Sequence, residues 1–326
     1  MKIGIPRGLL FPKYHTFAET FMEEIGAELI VSPETNKEIL DAGTRCCVDE
    51  ACLPVKVFHG HVAWLKDRCE AMLVPRFMGI REKESVCPYF CGLIEMVVNN
   101  IPQLPPFIDT PVYATDDKKL SKWAQEAGGY LTKDKKKIAA AYQLARQKHE
   151  QNRIGYDDLG YPLKICLIGH VYNLFDQFIN MELKKKLNER GVGVITAESM
   201  DKAAIRAEAD QLFKKPFWTF AQSYYGAAVH ICKTGNADGI IYLSAFSCGI
   251  DSVFIELIQS GIKDFPFMVL KLDEHTGEAG FDTRIEAFTD MLKRRYESGH
   301  NLSEYGQCGY CRSNPLPGAA DTLCRP

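Results

Sequence analysis

The chain has 326 residues, of which 46% are hydrophobic and 25% charged, and its formal net charge is -3. That balance gives no electrostatic reason to expect nucleic acid or an anionic membrane as partner, and the length suits two domains of ordinary size. The opening Met1-Lys2-Ile3-Gly4-Ile5-Pro6 lacks a signal-peptide apolar region, and no stretch is long or apolar enough to span a bilayer, so the cytoplasm is the expected address.

Residues 2–6 read as a strand, followed by a Gly8 turn and an amphipathic helix running to Ile25 and Gly26. A second strand over 27–31 leads to a short helix over 33–40, with Gly43 as its stop. After the Cys52 loop a helix starts at Pro54, where proline suits a first turn, and Val55, Phe58, Val62 and Leu65 recur at helical spacing. A strand over 71–75, a helix over 88–99 and two charged helices near 118–127 and 133–153 follow. Residues 154–162, with glycines, a proline and paired acids, read as a linker. A second β-α series has strands at 163–169, 192–196, 239–243 and 267–272. Alternating strands and helices predict parallel sheets with right-handed crossovers. The expected fold is therefore α/β, with two Rossmann-like or flavodoxin-like domains over 1–155 and 156–298. An irregular cysteine-containing tail over 299–326 completes the chain.

Twelve cysteines without an export signal point to metal binding, redox chemistry or small buried hydrophobes rather than disulfides. Cys166 lies inside the apolar strand 163–168 and reads as a packing residue. Cys52, Cys87 and Cys248 differ, because each stands where a helix is about to begin. Unpaired N–H groups and the helix dipole lower a cysteine's pKa there and favour the thiolate that iron needs. Parallel sheets place all their strand ends along one edge, so the three sites can meet, and an iron–sulfur cluster, zinc and plain packing all remain open.

Other polar residues carry weaker signals. His59 and His61 stand about 200° apart on a helix and do not face one ion together. The loop 273–280 leaves a strand's C-terminal end, so His275 is a candidate proton donor, with Glu274 and Glu278 as acid partners. Gly169-His170-Val171-Tyr172-Asn173 follows a strand and is placed to line an inter-domain cleft, while Arg7 and Lys56 could balance charge at the same edge. Cys308, Cys311 and Cys324 are a minor zinc or cluster candidate. The chain has no P-loop and no glycine-rich phosphate motif, so any ATP hydrolysis is expected on a partner.

Three stretches carry a family resemblance: Ile3-Gly4-Ile5-Pro6-Arg7-Gly8, residues 48–62 (VDEACLPVKVFHGHV), and residues 272–280 (LDEHTGEAG). Through them the chain resembles the activase-related branch of the 2-hydroxyacyl-CoA dehydratase and benzoyl-CoA reductase superfamily, over roughly residues 2–293. The resemblance implies a pair of α/β domains with a 4Fe-4S cluster in the cleft between them, held by Cys52, Cys87 and Cys248. It also implies a separate ATP-hydrolysing activase as electron donor, a small-molecule substrate with acyl-CoA as one candidate, and a homo- or hetero-oligomer. Relatives with a double-cubane 8Fe-9S cluster need further cysteines, for which Cys46, Cys47, Cys91 and Cys232 are candidates. The expected function is low-potential iron–sulfur redox chemistry, as an ATP-dependent reductase or dehydratase-like component. A non-catalytic electron carrier and a zinc-stabilised binding protein are the alternatives.

Overall fold

A computed structural model describes residues 1–301 apart from 213, 215 and 216. The tail cysteines Cys308, Cys311 and Cys324 lie outside the described residues. The first half runs β1 (Lys2–Ile5), α1 (Phe11–Glu24), β2 (Glu28–Val31), α2 (Lys37–Cys46), α3 (Leu53–Leu65), β3 (Ala71–Leu73), β4 (Arg76–Gly79), α4 (Pro88–Asn100), β5 (Phe107–Ile108), β6 (Pro111–Tyr113), α5 (Asp117–Gly128) and α6 (Lys135–Gln151). The second runs β7 (Leu163–Gly169), α7 (Val171–Leu174), α8 (Leu183–Glu189), β8 (Val192–Thr196), α9 (Lys202–Ala209), α10 (Thr219–Thr234), β9 (Gly239–Ala245), α11 (Gly249–Gly261), β10 (Phe267–Leu272) and α12 (Glu278–Asn301).

Two four-stranded parallel sheets result, ordered β2-β1-β3-β5 and β8-β7-β9-β10. Counting strands within each sheet, both orders read second, first, third, fourth. The chain is α/β with the same doubly wound plan twice, as the alternating elements predict. In each sheet the strand order reverses beside the first strand, and the crevice beyond the strand C-termini at that point is where such folds bind ligands.

The halves share apolar packing. One core cluster joins Leu9, Val55, Phe58 and Phe90 of the first half to Ile168, Phe220, Tyr224 and Tyr242 of the second. Strand β7 is buried at every position but Lys164, the continuous apolar pattern of a strand covered on both faces. Residues 154–162 are held against the second sheet rather than spanning free. Tyr156 and Thr196 exchange hydrogen bonds, and the Asp158 N–H donates to the Val194 oxygen.

Two local readings change. Gly43 does not stop a helix; it lies inside α2, which runs to Cys46. A Cβ on Gly43 would stand 1.9 Å from the Lys56 carbonyl oxygen, and one on Gly60 would stand 1.9 Å from that of Ile39. These glycines let α2 and α3 touch backbone to backbone, so their role is close approach rather than termination. The strand at 71–75 ends at Leu73, and after Pro75 the chain forms β4, which pairs with β6 as a separate two-stranded ribbon.

Candidate metal centre and adjoining cavity

Cys52, Cys87 and Cys248 are the N-cap residues of α3, α4 and α11. Prolines at the first or second helical position start α3 and α4, and the Asp251 N–H points at Cys248 Sγ, 3.5 Å away. Ser247, just before Cys248, has φ +67, a backbone state that costs a non-glycine residue about 1–3 kcal/mol and recurs at functional sites.

Contacts between the halves aim these loops at one another. Ser85, two residues before Cys87, donates its N–H to the Phe217 oxygen at 2.6 Å and accepts from the Thr219 N–H at 3.0 Å. Lys56 is buried, and its ammonium reaches the Asp49 carbonyl oxygen in the Cys52 loop at 2.8 Å and Glu274 Oε1 beyond β10 at 2.5 Å. Despite partial burial, that bond holds the Glu274 carboxyl below its ordinary pKa. Lys56 thus joins loops rather than lying on the surface.

The thiols share one electrostatic field. Burial pushes the Cys52 thiol up to about 12, opposed by the Val55 N–H and reinforced by the charges of Cys248 and Cys87. Burial also raises Cys87, again with Cys248 adding to the effect. Burial therefore overrides the helix termini expected to favour free thiolates, and a metal must displace the protons. Among the described residues, one set of three ligand-type groups lies within 4.8 Å of one another, and it is His170, Cys248 and Asp251. The three cysteines are spread more widely. A single tetrahedral zinc, with Zn–S near 2.3 Å, needs sulfurs about 3.8 Å apart. A cubane takes each thiolate on a different iron and so needs a wider triangle than a single ion does.

His170 and Asp251 were the less legible part of this centre. Strands β7 and β9 are neighbours, with Gly169 opposite Leu243, so the residues just past both C-terminal ends must meet. His170 Nε2 lies 3.2 Å from Asp251 Oδ1, and its ring stacks on Tyr172 with centroids 4.8 Å apart. Tyr242 and Ser244 donate their hydroxyls to Asp251 at 2.9 and 2.8 Å, and the Tyr224 hydroxyl stands 3.3 Å from His170 Nδ1. Burial opposes charge on the imidazole, but the Asp251 carboxylate outweighs it and lifts His170 to about 9. Burial likewise works against Asp251, yet the His170 cation and the hydroxyl donors keep its carboxyl below the ordinary range. A buried imidazolium–carboxylate pair therefore stands beside Cys248. The sequence signal was an acid three residues after a cysteine that precedes a helix, opposite a histidine that ends a strand.

The remaining candidates fall in varied places. His275 is exposed on the β10–α12 loop, its N–H bonded to Asp273 Oδ1 at 3.0 Å. Glu278 pairs with Lys186 at 2.6 Å. Cys47 stands close enough to influence Tyr89, as Cys52 and Cys87 do, whereas the Cys91 thiol points at Met78 Sδ, 3.5 Å away. Cys46 ends α2, Cys232 packs on the shared core, and Cys166 is wholly buried with its thiol raised by burial. His59 and His61 point apart: His59 Nδ1 meets the Val55 oxygen at 2.8 Å, while His61 lies between Ser32 and Thr35 at 2.9 and 3.1 Å. Thr35 donates its one hydroxyl proton to Asp176, so His61 Nε2 carries the proton and Nδ1 accepts from Ser32.

A cavity of about 530 Å³ opens between the two strand-order reversals, lined by Arg7 and Gly8 after β1 and by Tyr172, Phe175 and Asp176 around α7. Tyr172, whose hydroxyl is raised mainly by burial and further by Cys52 and Asp251, connects this cavity to the cysteines. No helix among the described residues is long and apolar enough to cross a membrane.

No curated protein matches this chain. Residues 2–200 match the family described as the CoA enzyme activase uncharacterised domain (DUF2229), a stretch that includes Cys52, Cys87 and His170 but ends before Cys248. That description fits the activase-related branch resembled by the motifs of the first half, and over that span the chain belongs to the CoA enzyme activase family.

Proposed function

We propose that the chain is the iron–sulfur component of a CoA-dependent enzyme system, taking electrons from a separate ATP-hydrolysing activase. The family's description supports an activase-type role in such a system. The observation that carries the finer reading is the shared electrostatic field of Cys52, Cys87 and Cys248, each capping a different helix. These three would hold a 4Fe-4S cluster, and Cys47, which acts on Tyr89 together with Cys52 and Cys87, would be a further thiol for a double cubane. A bound cluster supplies single electrons at low potential.

The chain's own groups do the rest. Helix amides beside each cysteine stabilise negative charge on sulfur. The His170–Asp251 pair sets a fixed cation against Cys248, and the packed rings of Tyr172, Tyr224 and Phe220 around His170 keep water from it. His275, exposed on the β10–α12 loop, would be the proton donor.

Oxygen-free purification tests the reading: brown protein with broad absorption near 400 nm is expected, roughly where thiolate-to-iron charge transfer falls. With an ATPase partner and reductant, an enzyme consumes a reducible acyl-thioester, whereas an electron carrier only cycles between redox states. The compact His170–Cys248–Asp251 set favours a second reading, a single zinc ion in a binding protein. Colourless, zinc-containing protein would select it.

A further inference from the structure

We infer that Lys13 is a covalent carbonyl-binding site, whose amine condenses with a small 2-oxo acid to form an imine. The site is separate from the cysteines and needs no cluster. Lys13 lies in the first turn of α1, and Glu198 stands two residues past β8, so the halves meet here near the C-terminal edges of both sheets. Helix α10 adds Phe220 from the second half.

The amine is held without a polar partner. Lys13 is only partly exposed, and its Nζ lies 5.6 Å from the Tyr14 ring centre and 5.3 Å from that of Phe220. It makes no hydrogen bond or ion pair among the described residues, whereas buried Lys56 is fixed by Glu274 and the Asp49 carbonyl oxygen. Lys13 Nζ is not sealed from solvent either, unlike the unpartnered Glu198 Oε2 and His149 Nδ1 beside it. Loss of water, the positive end of α1 and nearby cations all work against an ammonium here, and the two ring faces return only part of that loss. Burial lowers Lys13 to about 8, opposed by the Glu198 carboxylate and reinforced by Arg81 and Lys202. About a tenth of the side chain is then amine near pH 7, against a few parts in ten thousand for an ordinary lysine.

A desolvated lysine amine is a nucleophile for carbonyl carbon. Its lone pair forms the C–N bond, its two protons leave with the carbonyl oxygen as water, and no oxidant or reductant is needed. Burial lifts the Glu198 carboxyl to about 7, so near that pH it is about half protonated and able to pass these protons. The charges choose the carbonyl compound. Burial disfavours charge on His149, which leaves Arg81 and Lys202 as the cations facing Lys13 and Glu198 as the acid. Arg81 stands 3.9 Å from Glu84, but Lys202 is exposed and has no ion pair among the described residues. A carboxylate next to the carbonyl finds a free cation in Lys202, which a neutral ketone does not use.

The test is reductive trapping of the full chain as purified, with pyruvate or acetone and cyanoborohydride, read by peptide mass mapping. Free Nα-acetyl-lysine in the same tube is the reference amine. Near pH 7 pyruvate should label Lys13 at least roughly tenfold faster than the reference and than the chain's other lysines. That lead should shrink as pH rises past about 8, where Lys13 is already amine and the reference is still losing protons. The preference for Lys13 over the reference should be several-fold greater with pyruvate than with acetone, and Lys202→Gln should bring the two preferences together. Lys13→Arg keeps a cation at the position and should abolish the fast adduct. Labelling of Lys13 no faster than the reference, an equal preference with acetone, or a fast adduct that survives Lys13→Arg would overturn the assignment. The unaltered chain decides the first two outcomes without any variant, and none of them depends on iron.

Discussion

Lys56 and Glu274 tie the Cys52 loop to the opposite half, and they are unequally buried, with 3% and 20% of their side chains exposed. Glu274→Gln leaves the Lys56 ammonium with the Asp49 carbonyl oxygen as its remaining acceptor, 2.8 Å away. An uncompensated buried charge costs about 3–5 kcal/mol. Lys56→Met instead removes the buried charge and keeps an unbranched stem of similar volume, while Glu274 can turn toward water. Its cost should be about 1–2 kcal/mol. The double variant should resemble Lys56→Met, because deleting the cation also deletes the reason Glu274 is needed. Urea unfolding of metal-free protein measures all three. Since Lys56 holds the Glu274 carboxyl below its ordinary 4.5, the pair's contribution is present above that pH and fades as pH falls through and below it. The Lys56→Met gap should therefore narrow in acid. Equal costs for the two single variants, or strict additivity in the double, would refute the argument from unequal burial.

Three further outcomes follow from the same structure. Gly43→Ala or Gly60→Ala forces a Cβ to within 1.9 Å of a carbonyl oxygen and should cost about 3 kcal/mol, so an unchanged thermal midpoint would contradict the close helix approach. Burial lifts the Glu198 carboxyl to about 7, so the folded chain binds more protons than the unfolded one between about 4.5 and 7, and stability falls as pH rises through that window. Glu198→Gln should thus gain about 1–2 kcal/mol near pH 8 and nothing near pH 4, as unfolding at the two pH values would register. Asp251→Asn leaves His170, Tyr242 and Ser244 with a weaker acceptor in a buried setting and should cost about 2–3 kcal/mol; denaturation indistinguishable from the unaltered chain would argue against the network.

Much of the architecture was legible because it is written in local rules. Strand β7 shows itself as an unbroken apolar run, whereas the helix expected from 33 starts at Lys37, where Asn36 accepts the Ile39 N–H as its cap. Gly43 misled because a glycine that permits close helix packing looks, in sequence, like one that ends a helix. The β4–β6 ribbon was missed because short strands on either side of Pro75 leave too little periodicity. At the centre, cysteine placement was readable from the prolines and apolar runs that follow Cys52 and Cys87. The thiol pKa direction was not, since burial depends on which half packs over which loop. His170 and Asp251 meet through the β7–β9 pairing, a long-range fact that no short motif contains.

The central claim is that Cys52, Cys87 and Cys248 hold one cluster between them. Counting iron and acid-labile sulfide per chain in oxygen-free protein, for the unaltered chain and for Ser variants of these three and of Cys166, tests it most directly. The account predicts about four of each per chain, or about eight iron with nine sulfide for a double cubane, lost at each of the three positions and retained in Cys166→Ser. Iron-free protein, or iron unaffected by Cys52→Ser, Cys87→Ser and Cys248→Ser, would contradict it.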